Sequence, residues 1–177
     1  MNIRRKHIQE LADSLLSELR IVRPPVDVEK IARARNAIIH RGAVEKKVSG
    51  YLFREARGRT AVIGVNNSQH EHRQRFTIAH ELGHFLLHSG EDLHLDQVFV
   101  VKNRDERSAE GEDLEEVEAN LFAAELLMPE QFLRRDVEEM KEFDFFEEIE
   151  VKQLADLYKV SQQAMVIRLT HLGYLSI

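Results

Sequence analysis

The 177-residue chain contains no cysteine and no tryptophan, and it has only three prolines and eight glycines. Without cysteine it can form neither disulfides nor thiolate metal sites, so any metal must be held by His, Asp or Glu. No apolar run approaches the roughly 20 residues of a membrane span. The N-terminal residues alternate charged with apolar side chains, which does not fit a secretory signal. These absences predict a cytoplasmic protein without membrane segments.

Composition describes a soluble globular protein. Hydrophobic residues make up 43% of the chain and charged residues 32%, which is enough apolar material for a real core. The length suits one domain, or one domain with a small appendage. A formal net charge of −6 argues against a protein whose main task is to grip nucleic-acid phosphates.

Apolar spacing predicts an α+β fold, in which a small antiparallel sheet lies beside a mostly helical body. The β-rich runs 48–53 and 60–65 are separated by charged residues and a glycine, which indicates a hairpin. A further strand is expected at 97–101, and the polar segment 102–113 is expected to be mobile. Helices are predicted at 3–21, from an N-cap at Asp27 to about residue 35, and at 114–127, 130–141, 151–158 and 162–172.

The pentad His80-Glu81-Leu82-Gly83-His84 is the most informative motif of the chain. Histidines four apart on a helix are separated by only about 40° around the axis, so both imidazoles can reach one ion. Glu81 points off that line, where it could take a proton from an attacking water. The alternative is a pair of core histidines satisfied by hydrogen bonds. Because segment 76–88 is apolar nearly all round, buried polar groups there favour a metal site, as in zinc peptidases.

A catalytic zinc usually takes three protein ligands, so one more is expected. Segment 114–129 offers four glutamates: Glu115, Glu116, Glu118 and Glu125. On a helix, Glu116 shares a face of small and apolar residues with Asn120, whereas the other three lie off that face. A carboxylate packed on such a face requires a cation, and Asn120 can orient a ligand by hydrogen bonding. Glu116 is the predicted third ligand; the alternative is that all four are solvated surface acids.

Spacing alone does not assign a single role to the other histidines and arginines near the pentad. His88 continues the His80–His84 stripe by one turn, and it is a candidate for lining the cleft, contacting substrate or simply packing. Three further histidines are expected at the surface: His70, His72 and His94. Two arginines beside the pentad are open between structural and substrate-contacting roles: Arg73 and Arg75.

Two long motifs, at 75–88 and 116–129, resemble the ImmA/IrrE metallopeptidases, and shorter segments at 24–32, 49–50 and 65–66 fit the same pattern. The resemblance covers roughly residues 10–130, and two motifs in the right order are more specific than the pentad alone. It implies a zincin-like peptidase domain over 1–130. It also implies that Glu116, the first residue of the Glu-x-x-Ala-Asn motif, completes the metal site. The implied substrate is a helix-turn-helix repressor, whose cleavage relieves repression of mobile-element or stress-response genes.

Residues 131–177 are predicted to form a separate C-terminal helical region. Within it, 151–169 resembles a helix-turn-helix, although Lys159 stands where such turns often have glycine. The second helix offers few groups for DNA: Arg168 and His171 as basic residues, with Gln162 and Gln163 as possible base readers. Since phosphate contacts supply much of DNA affinity, a structural or protein-docking role is favoured over DNA binding through 151–172.

The hypothesis from sequence is a zinc-dependent endopeptidase. Zn²⁺ is assigned to His80, His84 and Glu116, and general-base catalysis to Glu81. The same ligand set also suits Mn²⁺ or Fe²⁺. The alternative is a non-proteolytic regulator that binds a repressor or DNA and uses the metal only structurally.

Overall fold

A computed structural model describes residues 3–43, 48–55, 59–89, 93–97, 109–140 and 148–175. Within these ranges the helices and strands follow in the order α1 (Arg5–Glu18), α2 (Val28–Ala34), β1 (Ala37–Gly42), β2 (Val48–Glu55), β3 (Thr60–Asn66), α3 (Glu71–Leu87), β4 (Leu93–Gln97), α4 (Ala109–Leu127), α5 (Glu130–Glu139), α6 (Glu148–Tyr158) and α7 (Gln162–His171). This helix-rich arrangement with one small sheet confirms the predicted α+β class. Among the described helices, none combines the length and apolar character needed to span a bilayer.

The sheet has the strand order β1-β3-β2-β4 and is mixed. The predicted hairpin is confirmed, because β2 and β3 pair antiparallel, and β4 adds to the other edge of β2. The expectation of a purely antiparallel sheet was wrong at one edge. There β1, which was not predicted, runs parallel to β3 from Ala37 opposite Ala61 to Gly42 opposite Asn66. The residues of β1 lack the alternation typical of a half-buried strand, since Ile38 is 66% exposed and His40 and Arg41 are exposed polar residues.

Local sequence explains how α2 begins and where β1 starts. The Asp27 side chain accepts a hydrogen bond from the Lys30 N–H, which confirms the predicted N-cap. After the helix, Asn36 adopts a left-handed conformation with φ 60°, which asparagine tolerates better than most residues. Its carbonyl then accepts the N–H of Ala61, so the chain enters β1 already joined to β3.

Two predicted boundaries differ from the structure. The strand expected at 97–101 shares only Gln97 with β4, which ends there. Residues 98–101 lie outside the described part of the chain. Of the polar segment 102–113, the part up to 108 also lies outside the described residues. Residues 109–113 form the first turns of α4, because alanine and glutamate are good helix formers even where no apolar stripe is present.

Helix α3 lies between the sheet and α4, packing against β2 and β3 on one side and against α4 on the other. Its centre is buried from Thr77 to His84. The two helices approach closely at Gly83, where an added Cβ would lie 3.2 Å from the Cα of Ala119. This contact places the middle of α4 directly over the histidine stripe of α3.

The C-terminal helices pack onto the same body. Lys159, in the turn between α6 and α7, has a φ of 52°, the left-handed conformation that often selects glycine there. Arg168 was a candidate DNA contact, but it is only 3% exposed and donates to both carboxylate oxygens of Glu125 and to the Met128 carbonyl. It is therefore bound within the protein. Three other polar residues of α7 remain exposed: Gln162, Gln163 and His171.

One hydrophobic cluster contains buried side chains from residues before 130 and from residues after it. The division of the chain into a peptidase domain, 1–130, and a C-terminal helical region, 131–177, stays a prediction. The C-terminal members of the cluster are Phe132, Leu133, Val137, Val151, Leu154, Ala155, Tyr158, Val160, Met165 and Leu169.

Candidate metal centre

Helix α3 holds His80 and His84 on one face, one turn apart. Both residues are 2% exposed, and their Nε2 atoms are 3.1 Å from each other. The ring planes are inclined at 75°, so the two nitrogens converge while the rings stay apart. The helical spacing read from the sequence thus brings both imidazoles to one point.

Helix α4 brings Glu116 to the same point. Its Oε1 lies 3.1 Å from Nε2 of His84, and its Oε2 lies 3.4 Å from Nε2 of His80. Among the described residues, these three side chains form a group whose ligand atoms all lie within 4.8 Å of one another. The Glu116 side chain is 36% exposed, so the group is open to solvent on one side.

The spacing of these atoms fits a small divalent cation. Bonds of about 2.0–2.1 Å in a tetrahedral arrangement separate neighbouring ligand atoms by about 3.3–3.4 Å. The separations of 3.1, 3.1 and 3.4 Å are close to that value. At such distances the three groups either share ring protons in hydrogen bonds or hold a cation among them, and two imidazoles with one carboxylate are a ligand set of divalent metals. The residues present therefore fit a metal ion.

Asn120 lies one turn beyond Glu116 on α4, and its Oδ1 is 3.2 Å from Nδ1 of His80. With the ring nitrogen Nδ1 donating its proton to this amide oxygen, Nε2 of His80 keeps its lone pair for a metal. The residue predicted to orient a ligand is thus in contact with His80, one of the predicted ligands.

Glu81 of α3 is fully buried, and its side chain lies against strand β2. Gly50 of β2 faces it: a Cβ added there would lie 3.7 Å from Oε1 of Glu81 and only 2.4 Å from Cγ2 of Thr77. The strand can pass this close only because residue 50 has no side chain. The carboxylate is therefore confined against β2, on the residue of α3 that follows His80.

His88 is the C-cap residue that follows α3, and it is not among the three residues whose side-chain atoms converge. It is 8% exposed, and burial lowers the pKa of its imidazole. Its Nδ1 lies 3.5 Å from Nη2 of Arg4 and 3.9 Å from Oε2 of Glu118. The structure thus places His88 against the partly buried ion pair of Arg4 and Glu118.

Glu118 was predicted to lie off the face of α4 that carries Glu116, and the alternative was that all four glutamates are solvated. The structure contradicts that alternative for Glu118, which is 5% exposed because the residues before α1 cover this part of α4. Arg4 donates to it through its backbone N–H and its guanidinium, which lowers the pKa of the Glu118 carboxyl. Sequence patterning could not find this pair, since its partners are 114 positions apart.

The remaining histidines and arginines have mixed outcomes. Arg73 is exposed and donates to Ser49 Oγ at 3.0 Å, whereas Arg75 donates to the Val26 carbonyl at 2.8 Å. Both arginines therefore link α3 to other segments. His70 is exposed as expected, its Nδ1 accepting the His72 N–H. His72 is half-buried, and the side chain of His94 lies outside the described residues.

Comparison with known proteins agrees with this geometry. The peptidase M78 family model, described as the IrrE N-terminal-like domain, matches residues 29–170. A search of curated proteins found no match. The matched range holds both helices of the site and most of the chain, and it carries a metallopeptidase assignment. The chain belongs to the ImmA/IrrE family of metallopeptidases.

Proposed function

We propose that the protein is a zinc-dependent endopeptidase whose metal is held by His80, His84 and Glu116. The observation that carries this proposal is the convergence of their three ligand atoms beside the buried carboxylate of Glu81. Two imidazoles and one carboxylate with an open side are the ligand set of catalytic zinc sites. Mn²⁺ and Fe²⁺ suit similar ligands.

Each residue has a defined role in the proposed hydrolysis. A bound divalent ion would supply a Lewis acid that polarises the scissile carbonyl and lowers the pKa of a water. Glu81 accepts the proton of the attacking water and then passes it to the leaving amine, so that the peptide bond yields a carboxylate and an amine. Asn120 keeps the ring of His80 in the tautomer whose Nε2 is a ligand.

The proposed substrate is a helix-turn-helix transcriptional repressor, whose cleavage would relieve repression of mobile-element or stress-response genes. Support comes from the resemblance of motifs 75–88 and 116–129 to the ImmA/IrrE enzymes. We further propose 1–130 as the peptidase unit and 131–177 as a helical region that packs onto it. The ion pair of Arg168 with Glu125 supports a packing role for this region over a DNA-reading role.

The test compares cells that lack the gene and are complemented with wild type, Glu81→Gln or Glu71→Gln. Glu71 lies in the first turn of the same helix with a 68% exposed side chain, so it is a matched control. Enrichment of protein N-termini followed by mass spectrometry should find a new N-terminus inside one helix-turn-helix protein with wild type and Glu71→Gln only. The cleavage should be reproduced with the two purified proteins and stopped by a chelator.

The rival function is a non-proteolytic regulator with a structural metal. It predicts that Glu81→Gln still inactivates the repressor while no new N-terminus is produced. Glu81→Gln should retain its ion under either function, so the metal content of the purified variants checks that the substitution removes the proposed base and not the metal.

A further inference from the structure

Arg4, which directly precedes α1, joins the two helices that carry the proposed ligands. Its backbone N–H donates to Oε1 of Glu118 at 2.9 Å, and its guanidinium donates to both carboxylate oxygens. The same guanidinium donates to the Leu87 carbonyl at 3.2 Å. One residue thus contacts α4 through a side chain and α3 through a carbonyl at its C-terminal end.

Both contact points lie close to the ligands along the chain. Glu118 is two residues after Glu116, and Leu87 is three residues after His84. A change in the separation of these contact points would therefore change the separation of Glu116 from the histidines. Because the residues of one helical turn are joined by backbone hydrogen bonds, a shift at Glu118 or Leu87 would move Glu116 or His84 with it.

This contact joins the Arg4 side chain, which is 47% exposed, to a buried carboxylate. Glu118 is 5% exposed, and a carboxylate removed from water requires a charged or hydrogen-bonded partner. The guanidinium gives it a forked, charge-assisted contact that an ammonium cannot reproduce. The carbonyls at the end of α3 also favour a cation, and Arg54 of β2 donates to two of them, those of His84 and His88.

Arg4 lies outside the family match, which begins at residue 29. We propose that Arg4 is a positioning residue for the metal centre: by holding Glu118 and Leu87 together, it keeps Glu116 at bonding distance from the ion shared with His80 and His84. This inference rests on the proposed ligand set.

The experiment measures zinc affinity by competition with a chromogenic chelator, together with the visible spectrum of the Co²⁺-loaded protein. Arg4→Gln removes the charge and the fork, whereas Arg4→Lys removes only the fork; both variants keep the backbone N–H that donates to Glu118. Lys6→Gln is the matched control, because Lys6 lies two residues away with a 90% exposed side chain. Thermal unfolding of the metal-free proteins checks that each variant folds.

We expect Arg4→Gln to bind zinc about tenfold more weakly, as for other residues that orient a metal ligand, and to change the Co²⁺ absorption bands. Arg4→Lys should recover part of the affinity, and Lys6→Gln should match wild type. Glu118→Gln should weaken binding like Arg4→Gln, and the double variant should be no weaker than either single variant.

Three results would overturn the inference. Folded Arg4→Gln and Arg4→Lys with wild-type zinc affinity and Co²⁺ spectra would mean that Arg4 only stabilises the fold. Equal losses in Lys6→Gln and Arg4→Gln would reduce the effect to general charge. Failure of the ligand set itself is distinguished by Glu116→Gln: if that variant binds zinc like wild type, the proposed metal site is wrong as well.

Discussion

Gly83 of α3 lies directly against Ala119 of α4. A Cβ added to Gly83 would be 3.2 Å from the Cα of Ala119 and 3.0 Å from the ring of Phe122. Such contacts are closer than ordinary van der Waals packing allows, so a side chain at position 83 would push the helices apart. Since His84 is adjacent to Gly83 and Glu116 is three residues before Ala119, this approach sets the distance between the proposed ligands.

Gly83→Ala should therefore weaken metal binding even though alanine favours helix. The gain in helix propensity is about 1 kcal/mol, and the added methyl displaces α4 by a few tenths of an ångström. We expect zinc affinity to fall about tenfold, similar in size to the loss of a ligand-orienting contact, although the cause here is steric. Chelator competition measures it. Gly42→Ala is the control, because a Cβ there meets only the His40 side chain at 3.4 Å. Unchanged affinity in Gly83→Ala would show that the helices adapt freely.

A second prediction concerns the contact between α6 and α5. The hydroxyl of Tyr158 donates to Asp136 at 2.6 Å, and burial together with this hydrogen bond raises the pKa of the phenol. The neutral phenol is thus favoured in the folded state. Its contribution is complete below the unfolded tyrosine pKa of about 10 and is lost as pH rises above that value.

Denaturant unfolding of wild type and Tyr158→Phe, both metal-free, checks this contribution. At pH 8 wild type should be more stable by about 1.5–3 kcal/mol, the range for a hydrogen bond to a charged group. The difference should shrink steadily between pH 10 and 11. A difference that stays constant up to pH 11 would contradict the assigned role of the hydroxyl.

A third prediction concerns DNA. Arg168 is engaged with Glu125, so α7 presents little positive charge, and phosphate contacts dominate DNA affinity. We expect no salt-sensitive shift of duplex DNA by wild type. Deleting residues 151–177 would be a poor test, since the buried Tyr158 would be removed with them. A Gln162→Ala/Gln163→Ala double variant changes exposed residues only, and a shift that it abolishes would establish DNA binding through α7.

Local patterns predicted most of the site. Spacing of four residues on one helix was enough to pair His80 with His84, and the faces of a second helix were enough to select Glu116 and Asn120. The structure brings all four together. Their convergence could be predicted because helical geometry fixes which side chains share a face.

Contacts between distant segments could not be predicted in the same way. The burial of Glu118 depends on Arg4, and that of Arg168 depends on Glu125, 43 positions away. The parallel pairing of β1 with β3 likewise joins segments that are distant along the chain, with Ala37 opposite Ala61. Neither charge nor periodicity at those positions distinguishes a buried, paired residue from a solvated one.

The most direct test of the account is the metal content of the purified protein, measured by elemental mass spectrometry on wild type, Glu116→Gln and Glu115→Gln. Glu115 is exposed and adjacent to the proposed ligand, so it is the matched control. We predict about one zinc per chain in wild type and Glu115→Gln, and a strong loss in Glu116→Gln. No bound metal in wild type after zinc is supplied, or full occupancy in Glu116→Gln, would contradict a metal centre built from His80, His84 and Glu116.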